Sequence, residues 1–307
     1  MARGSPHPAT AMSASHHRPP ALRLCAPAKV NLWLRILHRR DDGFHELQSR
    51  LCPLELADLI EFTPLDPGSP LSLTCSDPLL PAGADNLAHR AASAFFEAIE
   101  RDLDTAAVQL HLIKRIPSGA GLGGGSSDAA TVLLGLNQLH DQPLDLPRLE
   151  QLAAGIGSDV PFFLHQQPCD VEGRGERVRP VDDFPWHLPL VLVKPAFAIE
   201  TPWAYRQWQD SREWSGVFYG GQLCPWGELR NDLERPVFAK HLLLAEIKTW
   251  LLTQPEVHAA LMSGSGSTTF AILRDPTEAA PLVGRLRARY GDTTWLHVTR
   301  TIGSTVR

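Results

Sequence analysis

The densest group of residues suited to chemistry is a glycine-rich run at residues 117–128, Pro-Ser-Gly-Ala-Gly-Leu-Gly-Gly-Gly-Ser-Ser-Asp. Glycine permits backbone conformations that other residues resist, and it lets a ligand approach the main chain closely. An alternating strand pattern precedes the run, and helical spacing begins near Ser126. A helix N-terminus offers unpaired N–H groups and a partial positive charge, which suit an anion. The run therefore predicts a phosphate site, where the hydroxyls of Ser126 and Ser127 would reach a phosphate oxygen or a Mg²⁺ ion.

Several other kinds of glycine-rich segment have to be weighed against this interpretation. A Walker loop ends in Gly-Lys-Ser/Thr, and the run contains no lysine. A protein-kinase loop requires HRD and DFG companions, which the chain lacks. Gly119, Gly121 and Gly124 do satisfy the dinucleotide spacing, so a nicotinamide- or flavin-dependent oxidoreductase stays an alternative. A flexible linker or a tight turn is the structural alternative, although five glycines in seven positions exceed what a turn needs.

Composition narrows the class of protein. The chain has 307 residues, enough for about two domains, with 43% hydrophobic and 21% charged residues, as in an ordinary globular protein. A net charge of -5 argues against a nucleic-acid partner. The chain has no run of 18 apolar residues, so we expect no membrane partner. Five dispersed cysteines fit a reducing compartment, which predicts a cytoplasmic location.

The elements that position the run alternate between strands and helices, which predicts an α+β protein. Residues 23–37 indicate two strands separated by a turn at Ala26-Pro27-Ala28. We expect a disordered tail at residues 1–20, a first domain at residues 21–168 and a second at residues 169–307. The last strand, although it comes at the end of the second domain, is a candidate to pack with the first domain.

The glycine run resembles the second motif of the GHMP kinases, which include galactokinase and the homoserine, mevalonate and phosphomevalonate kinases. Ala-Pro-Ala-Lys-Val-Asn-Leu at residues 26–32 resembles the first motif, and Met-Ser-Gly-Ser-Gly-Ser-Thr-Thr-Phe at residues 262–270 resembles the third. The resemblance implies a two-domain GHMP kinase fold. An N-terminal ATP-binding domain and a C-terminal substrate domain would enclose a deep cleft, with ATP and Mg²⁺ as cofactors.

Three further segments resemble one subfamily, the kinases that phosphorylate the 2-hydroxyl of 4-diphosphocytidyl-2-C-methyl-D-erythritol in the non-mevalonate isoprenoid pathway. These segments are Lys-Val-Asn-Leu at residues 29–32, Arg-Arg-Asp-Asp-Gly-Phe-His-Glu-Leu-Gln at residues 39–48 and Gly-Ser-Asp-Val-Pro-Phe-Phe at residues 157–163. Phe44 stands where the subfamily commonly has tyrosine, and Ser118 and Ala120 stand where it commonly has glycine. Phe44 keeps a face for stacking on cytosine but lacks the hydroxyl, so the change bears on substrate affinity.

The resemblance assigns ATP to the glycine run and to two residues outside it. Asn86 and Lys114 match adenine or ribose contacts of the family. The remaining predicted ATP-binding residues are Pro117, Ser118, Gly119, Ala120, Gly121, Leu122, Gly123, Gly124, Gly125, Ser126 and Ser127. Mg²⁺ would lie with ATP, near Ser126 or Ser127, and the chain supplies no separately assigned metal site.

The resemblance also assigns the chemistry, with Asp159 as the general base that accepts the proton of the attacking hydroxyl. Lys29 would pair with Asp159, keep it ionised and offset developing negative charge. Each residue has a simpler alternative. Asp159 would equally serve as a helix cap before Pro161, and a lone lysine in a strand is usually a solvated surface residue.

The acceptor is predicted to be a small molecule, a cytidine-diphosphate-linked methylerythritol. Asn31 would contact a substrate hydroxyl or phosphate, and Phe44 and His45 would bind the cytosine, although core packing is the alternative for Phe44. The other predicted substrate residues are Asp159, Ser263, Gly264, Ser265 and Gly266, with Trp203 and Tyr205 as further stacking candidates. Another GHMP kinase, or a non-catalytic binding protein on the same fold, stays open. We expect a monomer or a weak homodimer.

Overall fold

Two β-sheets carry the fold, and the computed structural model describes residues 20–304 of it. The strands are β1 Leu22–Arg39, β2 His45–Pro64, β3 Ser72–Cys75, β4 Val108–Ile113, β5 Cys169–Gly173, β6 Arg177–Pro180, β7 Pro189–Lys194, β8 Gln222–Cys224, β9 Gly227–Asn231, β10 Val257–Met262, β11 Thr269–Leu273 and β12 Trp295–Arg300. The helices are α1 Leu87–Ala98, α2 Gly124–Leu139, α3 Leu146–Ile156, α4 Val160–Leu164, α5 Thr201–Gln207, α6 Glu234–Lys240, α7 Leu242–Leu252 and α8 Ala279–Tyr290. The α+β prediction is confirmed. The predicted disordered tail lies outside the described residues, apart from Pro20.

The first sheet is built around the long β1–β2 hairpin, in the order β3-β4-β2-β1-β9-β8. Strand β2 is long enough to have two partners on one edge. Residues 47–51 pair with β5, and residues 59–64 pair with β4. The second sheet has the order β10-β11-β7-β12. The last strand therefore lies in the second sheet, and a single bridge between Leu54 and Thr301 links the segment after it to β2.

The division into domains at residue 168 stays a proposal. Strand pairing does not change at that residue, because β5 and β6 follow it and still extend the first sheet. Farther along the chain, β9 pairs with β1 in parallel. Within the described residues, no helix is long and apolar enough to cross a membrane.

The turn predicted at Ala26-Pro27-Ala28 is wrong, because β1 runs through it as one strand. The pairing of β1 with β2 shifts register between Pro27 and Lys29. A bulge is a place where a strand accommodates proline, since the missing N–H costs no ladder hydrogen bond there. The strand continues beyond the bulge, so Lys29 and Asn31 project from the same face.

Three apolar clusters hold the layers together. The first packs α1–α4 on one face of the first sheet, and the second packs α6–α8 on the second sheet. The third joins the sheets to each other, with Val30 and Leu32 of β1 in the same cluster as Leu192 of β7 and Phe270 of β11. This shared core fixes the first and third sequence motifs relative to each other, because both lie on strands that contribute to it.

Candidate active site

A cleft of about 850 Å³ opens where the two sheets meet. The glycine run lines it from Pro117 to Ser126, and β1 contributes Lys29 and Asn31. The remaining lining residues that matter here are Phe44, His45, Asn86, Lys114, Asp128, Asp159, Arg174, Gly175, Tyr205, Gly264 and Ser265. The fold therefore brings parts of all three sequence motifs, and the Phe44-His45 pair, to one cavity.

The glycine run is wedged between β1 and the loop that joins β10 to β11. Gly121 and Gly123 have φ angles of +74° and +73°, which residues with side chains rarely adopt. A Cβ atom on Gly121 would lie 2.3 Å from the carbonyl oxygen of Ser263, and one on Gly123 would lie 2.7 Å from the ring of Phe163. Backbone hydrogen bonding holds the wedge in place, since Lys29 N–H donates to the Leu122 carbonyl over 2.9 Å.

The start of α2 is suited to an anion. Gly123 occupies the N-cap position and has no side chain to cap the helix, and the first turn carries no acidic residue. The first N–H groups of α2 are therefore left for another acceptor, and Gly124, Gly125 and Ser126 line the cleft at this point. A triphosphate fits the polarity of this position.

The two serines of the predicted ATP site lie in different surroundings. Helix α2 begins at Gly124, two residues before the predicted start, so Ser126 and Ser127 fall on different faces of its first turn. Ser126 lines the cleft, whereas Ser127 is fully buried and its hydroxyl has no hydrogen-bond partner among the described residues. The structure therefore leaves Ser126 as the hydroxyl that faces the phosphate position.

Lys29 and Asp159 come together although 130 residues separate them. Lys29 Nζ lies 3.9 Å from a carboxylate oxygen of Asp159 and donates a hydrogen bond to Asn31 Oδ1 over 2.8 Å. Asn31 Nδ2 in turn donates to Ser49 Oγ over 2.8 Å, which orients the amide. Burial lowers the pKa of Lys29, and the negative charge of Asp159 opposes that shift. The solvated-surface alternative for Lys29 is wrong, because only 4% of the residue is exposed.

Asp159 stands at the N-cap position of α4, yet its side chain makes no capping hydrogen bond. The carboxylate side chain is 43% exposed and lines the cleft. A capping aspartate normally accepts a hydrogen bond from the N2 or N3 N–H group. The geometry therefore favours the catalytic interpretation over the capping alternative, and the assignment of the base remains a prediction.

Phe44 and His45 also line the cleft, and the Phe44 ring lies next to Arg174 of the turn between β5 and β6. Phe44 is 51% exposed, so core packing is wrong for this ring. The His45 ring is buried and lies 5.5 Å from the ring of Tyr205. Burial and the nearby Arg39 both lower the pKa of His45, which keeps the imidazole neutral near pH 7.

Tyr205 lines the cleft, whereas Trp203 does not and instead has the Lys240 ammonium 4.3 Å above its ring.

The residues of the third motif divide into two groups, those that line the cleft and those packed behind them. Gly264 and Ser265 line the cleft, and the Ser265 hydroxyl is 2.8 Å from that of Thr201. Ser263 and Gly266 do not line the cleft, so their contact with a substrate stays a prediction. Ser263 is fully buried and its hydroxyl donates to the Gly121 carbonyl over 3.0 Å, which joins the third motif to the second.

Lys114 and Asn86 both line the cleft, but their polar groups already have protein partners. The Lys114 ammonium contacts the carboxylates of Asp58 and Asp128, and burial raises the pKa of Asp128 to about 7. The Asn86 amide caps α1, since its oxygen accepts from Ala88 N–H over 2.9 Å. Contact of either residue with adenine or ribose stays a prediction.

Three supporting residues were missed from the sequence. Asp58 accepts a hydrogen bond from Ile116 N–H over 2.8 Å and so anchors the entry to the glycine run, with Asp128 on the other side of Lys114. Asn231 donates to the carbonyls of Met262 and Gly264, each over 2.7 Å. For Asp58 the available signal was an acidic residue with apolar neighbours on both sides, Leu-Ala-Asp-Leu-Ile at residues 56–60.

Comparison with known proteins gives the same family throughout. The GHMP kinases N terminal domain matches residues 86–167, and the GHMP kinases C terminal domain matches residues 222–292. The 4-diphosphocytidyl-2-C-methyl-D-erythritol kinase of Methylacidiphilum infernorum is 39% identical over 275 residues, which cover 89% of this chain and 94% of that protein. The kinase of the same name from Geobacter metallireducens is 39% identical, over 84% of this chain and 92% of its own.

Solved structures extend the comparison to the fold. A crystal structure of 4-(cytidine 5'-diphospho)-2C-methyl-D-erythritol kinase superposes with a TM-score of 0.74 at 36% identity, covering 92% of this chain and all of that one. Homoserine kinase from Cytophaga hutchinsonii has a TM-score of 0.64 at 17% identity, which shows a shared fold alone. The chain belongs to the GHMP kinases and, within them, to the 4-diphosphocytidyl-2-C-methyl-D-erythritol kinase family.

Proposed function

We propose that this protein transfers the γ-phosphoryl group of ATP to the 2-hydroxyl of 4-diphosphocytidyl-2-C-methyl-D-erythritol, a step of the non-mevalonate isoprenoid pathway. One observation carries the proposal. The Lys29–Asp159 pair lies in one cleft with the glycine run, the open start of α2, Phe44 and His45. A Cβ on Gly123 would lie 3.1 Å from Lys29, and one on Gly175 would lie 3.5 Å from Asp159, next to the Arg174 that covers Phe44. This order of contacts matches donor phosphates, reacting groups and acceptor base. Family membership supports the choice of acceptor.

The donor side is suited to hold a triphosphate through the main chain. Phosphoryl transfer requires positioning and charge neutralisation more than covalent chemistry from the protein. N–H groups at the start of α2 would hold phosphate oxygens, and the Ser126 hydroxyl faces the same position. The Ser126 hydroxyl would help to hold the Mg²⁺ that accompanies ATP, and the ion would supply charge neutralisation at the phosphates.

The reacting side consists of the two charged groups. Asp159 would accept the proton of the acceptor hydroxyl, because its carboxylate is open to the cleft. The Lys29 ammonium would offset the negative charge that develops on the transferring group, and its buried position strengthens that interaction. Asn31 holds the ammonium by a hydrogen bond and also lines the cleft, so its amide would meet the acceptor beside the reacting hydroxyl.

The base of the acceptor would bind at the opposite end. Phe44 offers a face for stacking, and the neutral His45 imidazole offers one donor and one acceptor to a base edge. Tyr205 brings a second aromatic ring to the same end of the cleft. A monomer or weak homodimer, and a cytoplasmic location, stay predictions.

A direct test compares acceptors with the purified protein, ATP and Mg²⁺. ADP release would be measured with 4-diphosphocytidyl-2-C-methyl-D-erythritol, homoserine, mevalonate and galactose. We expect turnover with the cytidyl acceptor and none with the other three. Turnover with one of the other three alone would refute the choice of acceptor while retaining a kinase. Absence of ADP release with all four, together with NAD(H) binding, would refute the kinase itself.

A further inference from the structure

Arg174 lies at the acceptor end of the cleft and has no role in the function proposed above. It stands in the turn between β5 and β6, and the centre of its guanidinium group is 4.8 Å from the centre of the Phe44 ring. Within residues 20–304, Phe44 has no other aromatic or cationic ring contact. An exposed ring at the tip of a hairpin samples several rotamers unless something holds it. Arg174 is therefore the group available to hold this ring.

The turn that carries Arg174 is itself well fixed. Arg174 N–H donates to a Glu176 carboxylate oxygen over 2.6 Å, and Gly175 N–H donates to the Glu172 carbonyl over 3.1 Å. Gly173 has a φ of +75°, and a Cβ there would lie 2.8 Å from the Glu176 carboxylate. These hydrogen bonds fix the backbone at Arg174.

The same turn reaches the proposed base. A Cβ on Gly175 would lie 3.5 Å from a carboxylate oxygen of Asp159, so the main chain of the turn borders that side chain. Two consecutive residues of the turn therefore have different neighbours. Gly175 borders Asp159, the proposed base, and Arg174 lies over Phe44, the ring that would stack on the acceptor.

We propose that Arg174 is a positioning residue for the nucleotide end of the acceptor, acting through Phe44. The guanidinium fixes the ring before the acceptor arrives, so that binding does not have to pay for ordering it. This inference rests on the proposed function, because it takes a cytidine nucleotide as the ligand. The nearest carboxylate oxygen of Glu176 is 4.0 Å from Arg174 Nε, which leaves the guanidinium available to the ring.

A double-mutant cycle separates this role from direct contact with the acceptor's diphosphate. The variants are Arg174→Ala, Phe44→Leu and the double variant, with KM for the cytidyl acceptor, KM for ATP and kcat measured, and the Kd of cytidine 5'-diphosphate obtained by calorimetry. We expect Arg174→Ala to raise the acceptor KM and this Kd about tenfold, as for a partly desolvated cation–π contact. The KM for ATP and kcat should stay within about twofold of wild type, since neither the glycine run nor the Lys29–Asp159 pair touches Arg174. The double variant should match Phe44→Leu, because an interaction through the ring disappears with the ring.

Two further variants complete the experiment. Arg174→Lys retains a cation above the ring and should restore most of the acceptor affinity. Arg177→Ala is the matched control, because Arg177 lies in the same hairpin, pairs with Glu46 and Glu172 and does not line the cleft. Its kinetic constants should equal those of wild type.

Two outcomes would overturn the inference. The first is an Arg174→Ala enzyme with a wild-type acceptor KM. The second is an effect of Arg174→Ala that persists undiminished in the Phe44→Leu background, which would mean that Arg174 contacts the acceptor directly. Failure of the proposed function is recognisable separately, since the wild-type enzyme would then release no ADP with the cytidyl acceptor.

Discussion

At the scale of single residues, the site depends on a pair of charges held in unequal surroundings. Lys29 is buried and hydrogen-bonded to Asn31, whereas the Asp159 carboxylate faces the cleft. A buried cation beside an accessible carboxylate gives one fixed charge and one group free to exchange a proton. The unequal burial therefore supports the proposed roles, with Lys29 as electrostatic stabiliser and Asp159 as base.

The role of Asp159 gives the first prediction. Asp159→Ala should lower kcat by a factor of about 10³ or more, because general-base catalysis and acceptor positioning are lost together. The Kd of ATP should stay within about twofold, since the glycine run does not depend on this side chain. Steady-state kinetics and calorimetry with a non-hydrolysable ATP analogue would measure the two effects. Turnover at the wild-type rate would refute Asp159 as the base.

Lys29 gives the second prediction. Lys29→Met should lower kcat by about 10²–10³, the usual cost of removing a transition-state charge partner. The free energy of unfolding should change by no more than about 1–2 kcal/mol, because relief of a buried charge offsets the loss of a donor to Asn31. Chemical denaturation would measure the second effect. A loss of stability well beyond this range would show that the lysine is mainly structural.

The pKa of Lys29 gives the third prediction. Burial lowers it from 10.5, so the unfolded chain binds this proton more tightly than the folded protein. Lys29 therefore opposes folding when charged, and that penalty is relieved as the pH rises through the lowered pKa toward 10.5. The difference in unfolding free energy between Lys29→Met and wild type should shift in favour of wild type as the pH rises through the lowered pKa toward 10.5. Over the same range kcat should fall, because the ammonium is neutralised; a constant difference would contradict the shift.

At the scale of elements, the glycine run works as a wedge rather than as a free loop. Its carbonyls accept hydrogen bonds from β1 and from the third motif, and two of its glycines lie against backbone or ring atoms that leave no room for a side chain. The loop is therefore held in place by β1 and by the third motif. Rigidity is what phosphate positioning requires.

Gly123 tests this view. Gly123→Ala should destabilise the fold by about 1–2 kcal/mol, because alanine at φ +73° is strained and its methyl group would meet Phe163 and Lys29. The KM for ATP should rise about tenfold or more, since small displacements in a positioning loop are costly. Gly155→Ala is the matched control: it lies in α3 with open space around it and should stabilise by about 0.5–1 kcal/mol. Equal KM values for ATP in the two variants would contradict the view that close packing of the glycine run positions ATP.

At the scale of the whole molecule, the cleft exists because two sheets share an apolar core and are bridged by buried polar groups. Asn231 is such a bridge, since it ends a strand of the first sheet and holds the loop that leaves the second. Beside it, Lys248 pairs with Glu234, and a Glu234 oxygen accepts from Met262 N–H over 3.0 Å. These contacts fix the third motif against the first.

The bridge gives the fifth prediction. Asn231→Leu should destabilise the protein by about 3 kcal/mol, because three buried backbone groups lose their partners. These are the carbonyls of Met262 and Gly264 and the N–H of Leu233. Thermal unfolding would measure this loss, and the acceptor KM should rise at temperatures where the variant is folded. Gln207→Leu, on an exposed position of α5, is the control and should have little effect on either. A wild-type melting temperature for Asn231→Leu would refute the bridging role.

The sequence by itself determined the features that depend on neighbouring residues. Glycine density before a helix start predicted an anion site, alternation predicted the strands, and three motifs in order predicted the GHMP kinase fold, which is confirmed. A loop with positive φ angles that ends at a helix N-terminus requires glycines at particular positions, so the local sequence is enough to predict it. Lys29, Asn31, Phe44, His45 and Asp159 all line one cleft, as the motifs indicated.

Only the tertiary structure decided which distant groups meet. Helix α2 starts at Gly124, which places Ser127 in the core. Lys114 pairs with Asp58 and Asp128. The β5–β6 turn brings Arg174 over Phe44. The partner of a side chain elsewhere in the chain depends on sheet order, register and helix phase, which are settled by the packing of the whole core. Local sequence therefore predicted an anion site at the glycine run, while the packing of two sheets decided which side chains face it.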